Sequence, residues 1–255
     1  MHAPTGAERL FARYLPEPTR AWVEAVCAET ARAHARLRSP VSLGYLSFRL
    51  AVGLGLPMSF ASRAGTVLDA LQPVVDLADN LADEALDRAR GIELARRYPD
   101  VPRDALPSLP PLMMACVISA LHDDFTAPEH RPREAAARVI GLLARMTEGQ
   151  GQRLDDPARA DNISGRQGEL VCLPLWLAPE ALPDAARRAE VERWAFCYGR
   201  LWQLHQDVLE APEDAATRER FLAASDIASE AWPAFAPFLP GGALAREALL
   251  PRGAA

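Results

Sequence analysis

The sequence predicts an all-α protein, and three observations carry that expectation. It is rich in Ala, Leu, Arg and Glu, with only 15 Gly in 255 residues, a composition that favours helix over flexible joints. Its 22 Pro gather between long uninterrupted stretches rather than inside them, which is the punctuation of helices joined by tight turns. Within those stretches apolar residues recur three and four positions apart. The sequence holds no alternating strand pattern, no Gly-rich phosphate loop after a strand and no GxSxG elbow, so the usual nucleotide-binding and hydrolase folds are excluded.

Taken in order, Leu10, Tyr14, Trp22, Val23, Val26 and Cys27 keep helical spacing from Ala7 to about Arg38, with a joint at Pro16 and Pro18 and a stop at Pro40. A second helix is predicted over Ser42–Leu54. A third starts near Ser59 and runs past Asp83, where Pro73 predicts a kink. Gly91 and the stretch from Pro99 to Pro111 break the pattern. Further helices are predicted at Leu112–His122, Pro132–Arg153, Ile163–Leu177, Pro183–Glu210 and Ala216–Ala231, with a short one near Ala243–Leu249. No fixed-period repeat or long linker divides the chain, so residues 1–255 read as a single domain.

A hydrophobic fraction of 49% supplies a core that needs no staple, at about 25 cal/mol per Å2 buried. The net charge of −6, with Arg interspersed among Asp and Glu, argues against nucleic acid as a partner. There is no Lys, so any grip on phosphate must be an Arg fork. Cys27, Cys116, Cys172 and Cys197 lie in apolar stretches without metal-ligand spacing and read as buried, reduced thiols. No secretory signal opens the sequence and no apolar stretch approaches the ~20 residues that cross a bilayer. The expectation is a cytoplasmic protein without membrane insertion.

The densest chemical signal is the run from Val74 to Asp83, followed by Asp87, Arg88, Arg90 and Gly91. Asp76, Asp79, Asp83 and Asp87 stand three and four apart and share one helix face, where like charges repel. A divalent cation relieves that repulsion, and hard carboxylate oxygens suit Mg2+. A solvated acidic face has the same spacing; the apolar neighbours Val74, Val75, Leu77, Leu81 and Leu86 favour a buried helix instead. A second segment, Phe196 to Glu210, is apolar nearly all round yet places Gln203, Asp207 and Glu210 on one face. The bland alternative is that Asp207 and Glu210 decorate a helix end. His205 reads as a core histidine, or one that supports a ligand residue, rather than as a ligand itself.

These residues carry a resemblance. Asp79-Asn80-Leu81-Ala82-Asp83, then four residues, then Arg88, Arg90 and Gly91, resembles the first aspartate-rich motif of the trans-isoprenyl diphosphate synthases, DDxxD followed by RRG. Gln203 to Glu210 is similar to the second motif, QxxDDxxD; Gly149-Gln150-Gly151-Gln152-Arg153-Leu154-Asp155 to the GQxxDL element; Gly165-Arg166-Gln167-Gly168-Glu169-Leu170 to the phosphate-binding KTxxL element; and Arg36-Leu37-Arg38-Ser39-Pro40 to the N-terminal GKRxRP motif. The resemblance implies an all-α isoprenoid-synthase bundle around a central apolar cavity, binding a prenyl diphosphate. It implies Asp79, Asp83 and Asp207 as catalytic metal ligands, with Glu210 a further ligand to Mg2+. Arg88, Arg90, Arg166, Gln203, Arg36 and Arg38 would bind substrate. A homodimer or heterodimer follows from the same resemblance.

Asn80 and Gln206 stand where the family has Asp, Glu210 replaces another, and the N-terminal Lys that helps to hold isopentenyl diphosphate has no counterpart. The implied function is transfer of a prenyl group, after ionisation of an allylic diphosphate, to isopentenyl diphosphate or another acceptor. A terpene cyclase, which binds a single diphosphate, and a catalytically silent synthase subunit are the alternatives.

Overall fold

The structure, a computed structural model, describes residues 5–36, 42–86, 94–150, 161–210, 215 and 219–227. Within these, the side chains of 34–36, 83–86, 95, 150, 161, 164, 202, 203, 205–207, 209 and 210 lie outside the description. Every described element is helical. The order is α1 (Gly6–Ala12), α2 (Thr19–Arg36), α3 (Leu43–Gly53), α4 (Met58–Leu86), α5 (Leu94–Arg97), a 3-10 turn (Arg103–Ser108), α6 (Leu109–Asp124), α7 (Pro132–Gln150), a π-turn (Asp161–Gly165), α8 (Arg166–Glu169), a 3-10 turn (Leu170–Cys172), α9 (Leu173–Leu177), a 3-10 turn (Pro179–Ala181) and α10 (Ala185–Glu210). Residues 219–227 form α11.

Local chemistry sets the boundaries. Thr5 and Glu8 exchange a capping box at the start of α1, with Glu8 N donating to Thr5 Oγ1 at 3.2 Å. Ser42 caps α3, and Asp184 accepts from the Ala186 and Arg187 amides ahead of α10. Gly55, at φ 76°, closes α3 with the paired bonds Gly55 N to Val52 O and Leu56 N to Ala51 O, a reversal that favours glycine.

The centre of the bundle is α4, 29 residues long and continuous through Pro73. It packs against α1, α2, α3, α5, α6 and α9. Backbones of α3 and α4 touch: a Cβ on Gly65 would lie 2.9 Å from Gly44 O. One cluster of buried side chains runs from Ala7 to Tyr198, and a second joins Cys197, Leu201, Leu204 and Val208 of α10 to Phe221 and Ala224 of α11. All four cysteines are buried and free, as the sequence predicts.

Two expectations are corrected. Ile163–Leu177 is not one helix but a π-turn, α8, a 3-10 turn and α9. The cause is packing: a Cβ on Gly168 would fall 2.2 Å from Ala195 O and 2.7 Å from Gly199 N, so this segment lies backbone to backbone on α10, and Pro174 then opens the next helix. Arg103–Asp124 is, by length and composition, apolar enough to cross a bilayer, with mean hydropathy 1.4. Its helix α6 packs on α1, α4 and α7 through Leu109, Met113, Cys116, Val117, Ala120 and Leu121, while 39% of the apolar stretch is buried. The helix expected at Ala243–Leu249 lies outside the described residues.

Candidate functional site

Of the acidic stripe, Asp76, Asp79 and Asp83 occupy the C-terminal turns of α4, and Asp87 lies outside the described residues. Val67, Leu71, Val74 and Leu77 form the buried face of this helix, and Asn80, only 7% exposed, extends the same line. Asp76 and Asp79 stand beside that line, half-buried. Asp83 sits one turn beyond Asp79 on α4; its side chain lies outside the description. The sequence foresees the shared face of Asp76 and Asp79, and misses that Asn80 is the inward residue. Its carboxamide meets Tyr98 and Arg97.

A relay of amides joins this stripe to α8. Gln167 Nε2 donates to Gln72 Oε1 at 3.3 Å, and Gln72 Nε2 donates to Asp76 Oδ1 at 2.8 Å. The segment that resembles a phosphate-binding element is thereby anchored to the acidic helix. Gly149, at the end of α7, abuts the π-turn, where its Cβ would lie 2.9 Å from Ile163 Cγ1. Three elements converge here.

Arg166, the candidate phosphate ligand of that segment, is already engaged. Its Nη1 pairs with Glu169 Oε1 at 2.7 Å, and its guanidinium lies over the Phe196 ring at 5.1 Å. Its Nε is occluded and lacks a partner. Burial pushes the Glu169 carboxyl above its ordinary range while Arg166 pulls it down, so the pair holds together two groups that water has largely left. Spacing i to i+3 was the available sign of this pairing.

On α10, Gln203, Asp207 and Glu210 occupy one face, roughly a third of a turn from the buried Leu201, Leu204 and Val208. Their side chains lie outside the description, as does that of Arg36 at the end of α2; Arg38, Arg88 and Arg90 lie outside it altogether. Among the described residues no group of three or more His, Cys, Asp or Glu side chains forms a metal site. The described donors on the stripe, Asp76 and Asp79, are hard carboxylate oxygens, which fit Mg2+ rather than a softer ion.

No protein-family model and no curated protein matches the chain. The architecture nonetheless defines a class: this is the all-α fold of the isoprenoid synthases. It is shared with the solved geranylgeranyl pyrophosphate synthetase from the archaeon Geoglobus acetivorans, which is 12% identical, with a TM-score of 0.64 over 95% of this chain and 94% of that one.

Proposed function

We propose that the chain is a Mg2+-dependent prenyltransferase, a single cytoplasmic domain that ionises an allylic prenyl diphosphate and passes the prenyl group to isopentenyl diphosphate or another acceptor. The observation that supports this reading is the whole-chain likeness to a prenyl synthase fold, in which the central helix carries half-buried Asp79 with Asp83 one turn on. Asp79, Asp83, Asp207 and Glu210 would hold the cation. When bound, Mg2+ draws negative charge from the leaving diphosphate. Arg88, Arg90 and Arg166 would bind diphosphate oxygens through paired N–H donors, with Gln203, Arg36 and Arg38 contributing further hydrogen bonds. Leu77 and Val74 beside the stripe are buried and apolar, and apolar surroundings of that kind would keep water from a carbocation formed there.

The test is turnover of geranyl, farnesyl and geranylgeranyl diphosphate with Mg2+, with and without isopentenyl diphosphate. Elongated products establish the transferase, and cyclic products establish a cyclase. A silent subunit is favoured by the commitment of Arg166 to Glu169, and absence of turnover and of Mg2+-dependent diphosphate binding would establish it. Asp83→Ala is expected to lower diphosphate release on the order of 100-fold or more. Its circular dichroism should stay unchanged, since one member of a repelling stripe is gone; unchanged release removes the mechanism.

A further inference from the structure

Asn80 stands inside the acidic stripe, yet its surroundings are not those of a cation ligand. Its Nδ2 donates to the Tyr98 hydroxyl at 3.0 Å and its Oδ1 accepts from Arg97 Nη1. Arg97 continues to Glu29, with Nε 3.4 Å from Oε1, and Glu29 also holds Arg32 at 3.1 Å. Asn80, Glu29 and Tyr98 are 7%, 6% and 1% exposed. A chain of side chains thus crosses from α4 through the Leu94–Tyr98 segment to α2, and it uses both ends of the carboxamide.

Charge explains why an amide stands here. Arg97 and Glu29 balance each other, and Arg32, whose side chain is 59% exposed, adds a charge that water screens. A carboxylate at position 80 would add a buried negative charge beside Glu29 and the half-buried Asp76, with Arg97, itself a third exposed, the cation in contact with it. The Asn is the neutral residue that satisfies a phenol and a guanidinium at once.

We propose that Asn80 is a positioning residue and not a ligand lost from the acidic motif. It clamps α2 and the Leu94–Tyr98 segment to the turn of α4 that bears Asp79 and Asp83, and so fixes how those carboxylates meet a cation-bound diphosphate. The inference rests on the reading of Asp79 and Asp83 as metal ligands. A hydrogen-bonded network whose centre, Asn80, Tyr98 and Glu29, is buried stiffens the backbone that carries it, and groups that orient metal ligands typically govern affinity by roughly 10- to 100-fold.

The test uses the full chain, inorganic diphosphate and Mg2+, with calorimetry for affinity and hydrogen exchange for residues 79–86 and 94–98. Asn80→Ala and Arg97→Ala should each raise the Mg2+ concentration at half-saturation by about 10-fold. Combining them should cost no more than the worse single change, because they sever one connection. Both should speed exchange in 94–98 with helix content retained, and Asn80→Asp should not tighten Mg2+ binding. Tenfold tighter binding in Asn80→Asp, or unchanged Mg2+ dependence in Asn80→Ala, overturns the proposal. A wild-type chain that binds no Mg2+-diphosphate instead overturns the ligand reading, and the positioning role with it; exchange in 94–98 then shows whether the clamp serves the fold alone.

Discussion

At the scale of single residues, Arg166 and Glu169 show how a neighbour can occupy a group suited to phosphate. Glu169 neutralises the guanidinium at 2.7 Å and would repel an incoming diphosphate. Glu169→Gln removes that competitor, and the expected outcome is about 10-fold or more tighter Mg2+-dependent binding of inorganic diphosphate by calorimetry, in line with one charge-assisted contact worth roughly 1.5–3 kcal/mol. Weaker binding would instead mean that Arg166 needs Glu169 to aim it. Spacing made the acidic stripe legible, because carboxylates three and four apart share a face whatever surrounds them. The partners of Asn80 were not legible: Arg97 and Tyr98 lie 17 and 18 residues along the chain, and only the fold brings them back.

At the scale of elements, the long helices were readable from periodicity and from proline punctuation, α4 above all. The segment before α10 was not, because its glycines mark contact with another helix instead of a local turn. Gly168→Ala is expected to destabilise by about 1–3 kcal/mol or more, since the new methyl meets backbone atoms of Ala195 and Gly199 that cannot swing aside; a thermal midpoint equal to that of the wild type would refute the close packing. A second prediction concerns the tie between the α1 end and α6, where the Tyr14 hydroxyl donates to Asp123 at 2.8 Å. Burial first, then this bond, pushes the phenol from 10.0 up to about 12. The folded state holds that proton more tightly, so the stabilisation is full below pH 10.0 and fades as pH rises through about 12. Tyr14→Phe should lose about 1 kcal/mol at neutral pH, and its deficit against the wild type should shrink across that alkaline window in denaturant melts. A deficit independent of pH would show that the bond contributes nothing.

At the scale of the whole molecule, the fold class was legible because helix propensity, patterning and motif order agreed, whereas the directions of the acidic side chains on α4 and α10 are not set by pattern alone. Neighbouring helices α6 and α7 leave Leu112 and Ile140 exposed, at 38% and 52%. If copies of the chain pair through the exposed side of α7, Ile140→Glu should convert a dimer to a monomer by light scattering without loss of helix; a dimer that survives the change lies elsewhere. The four buried thiols have a further consequence. Cys27, Cys116, Cys172 and Cys197 sit on α2, α6, the turn before α9 and α10. Each is shielded in the closed protein, so alkylation must wait for a breathing motion at that place, and burial already disfavours the reactive thiolate of Cys27, Cys116 and Cys172. Rates of modification, read by peptide mass, therefore act as four resident clocks that time the loosening of separate regions.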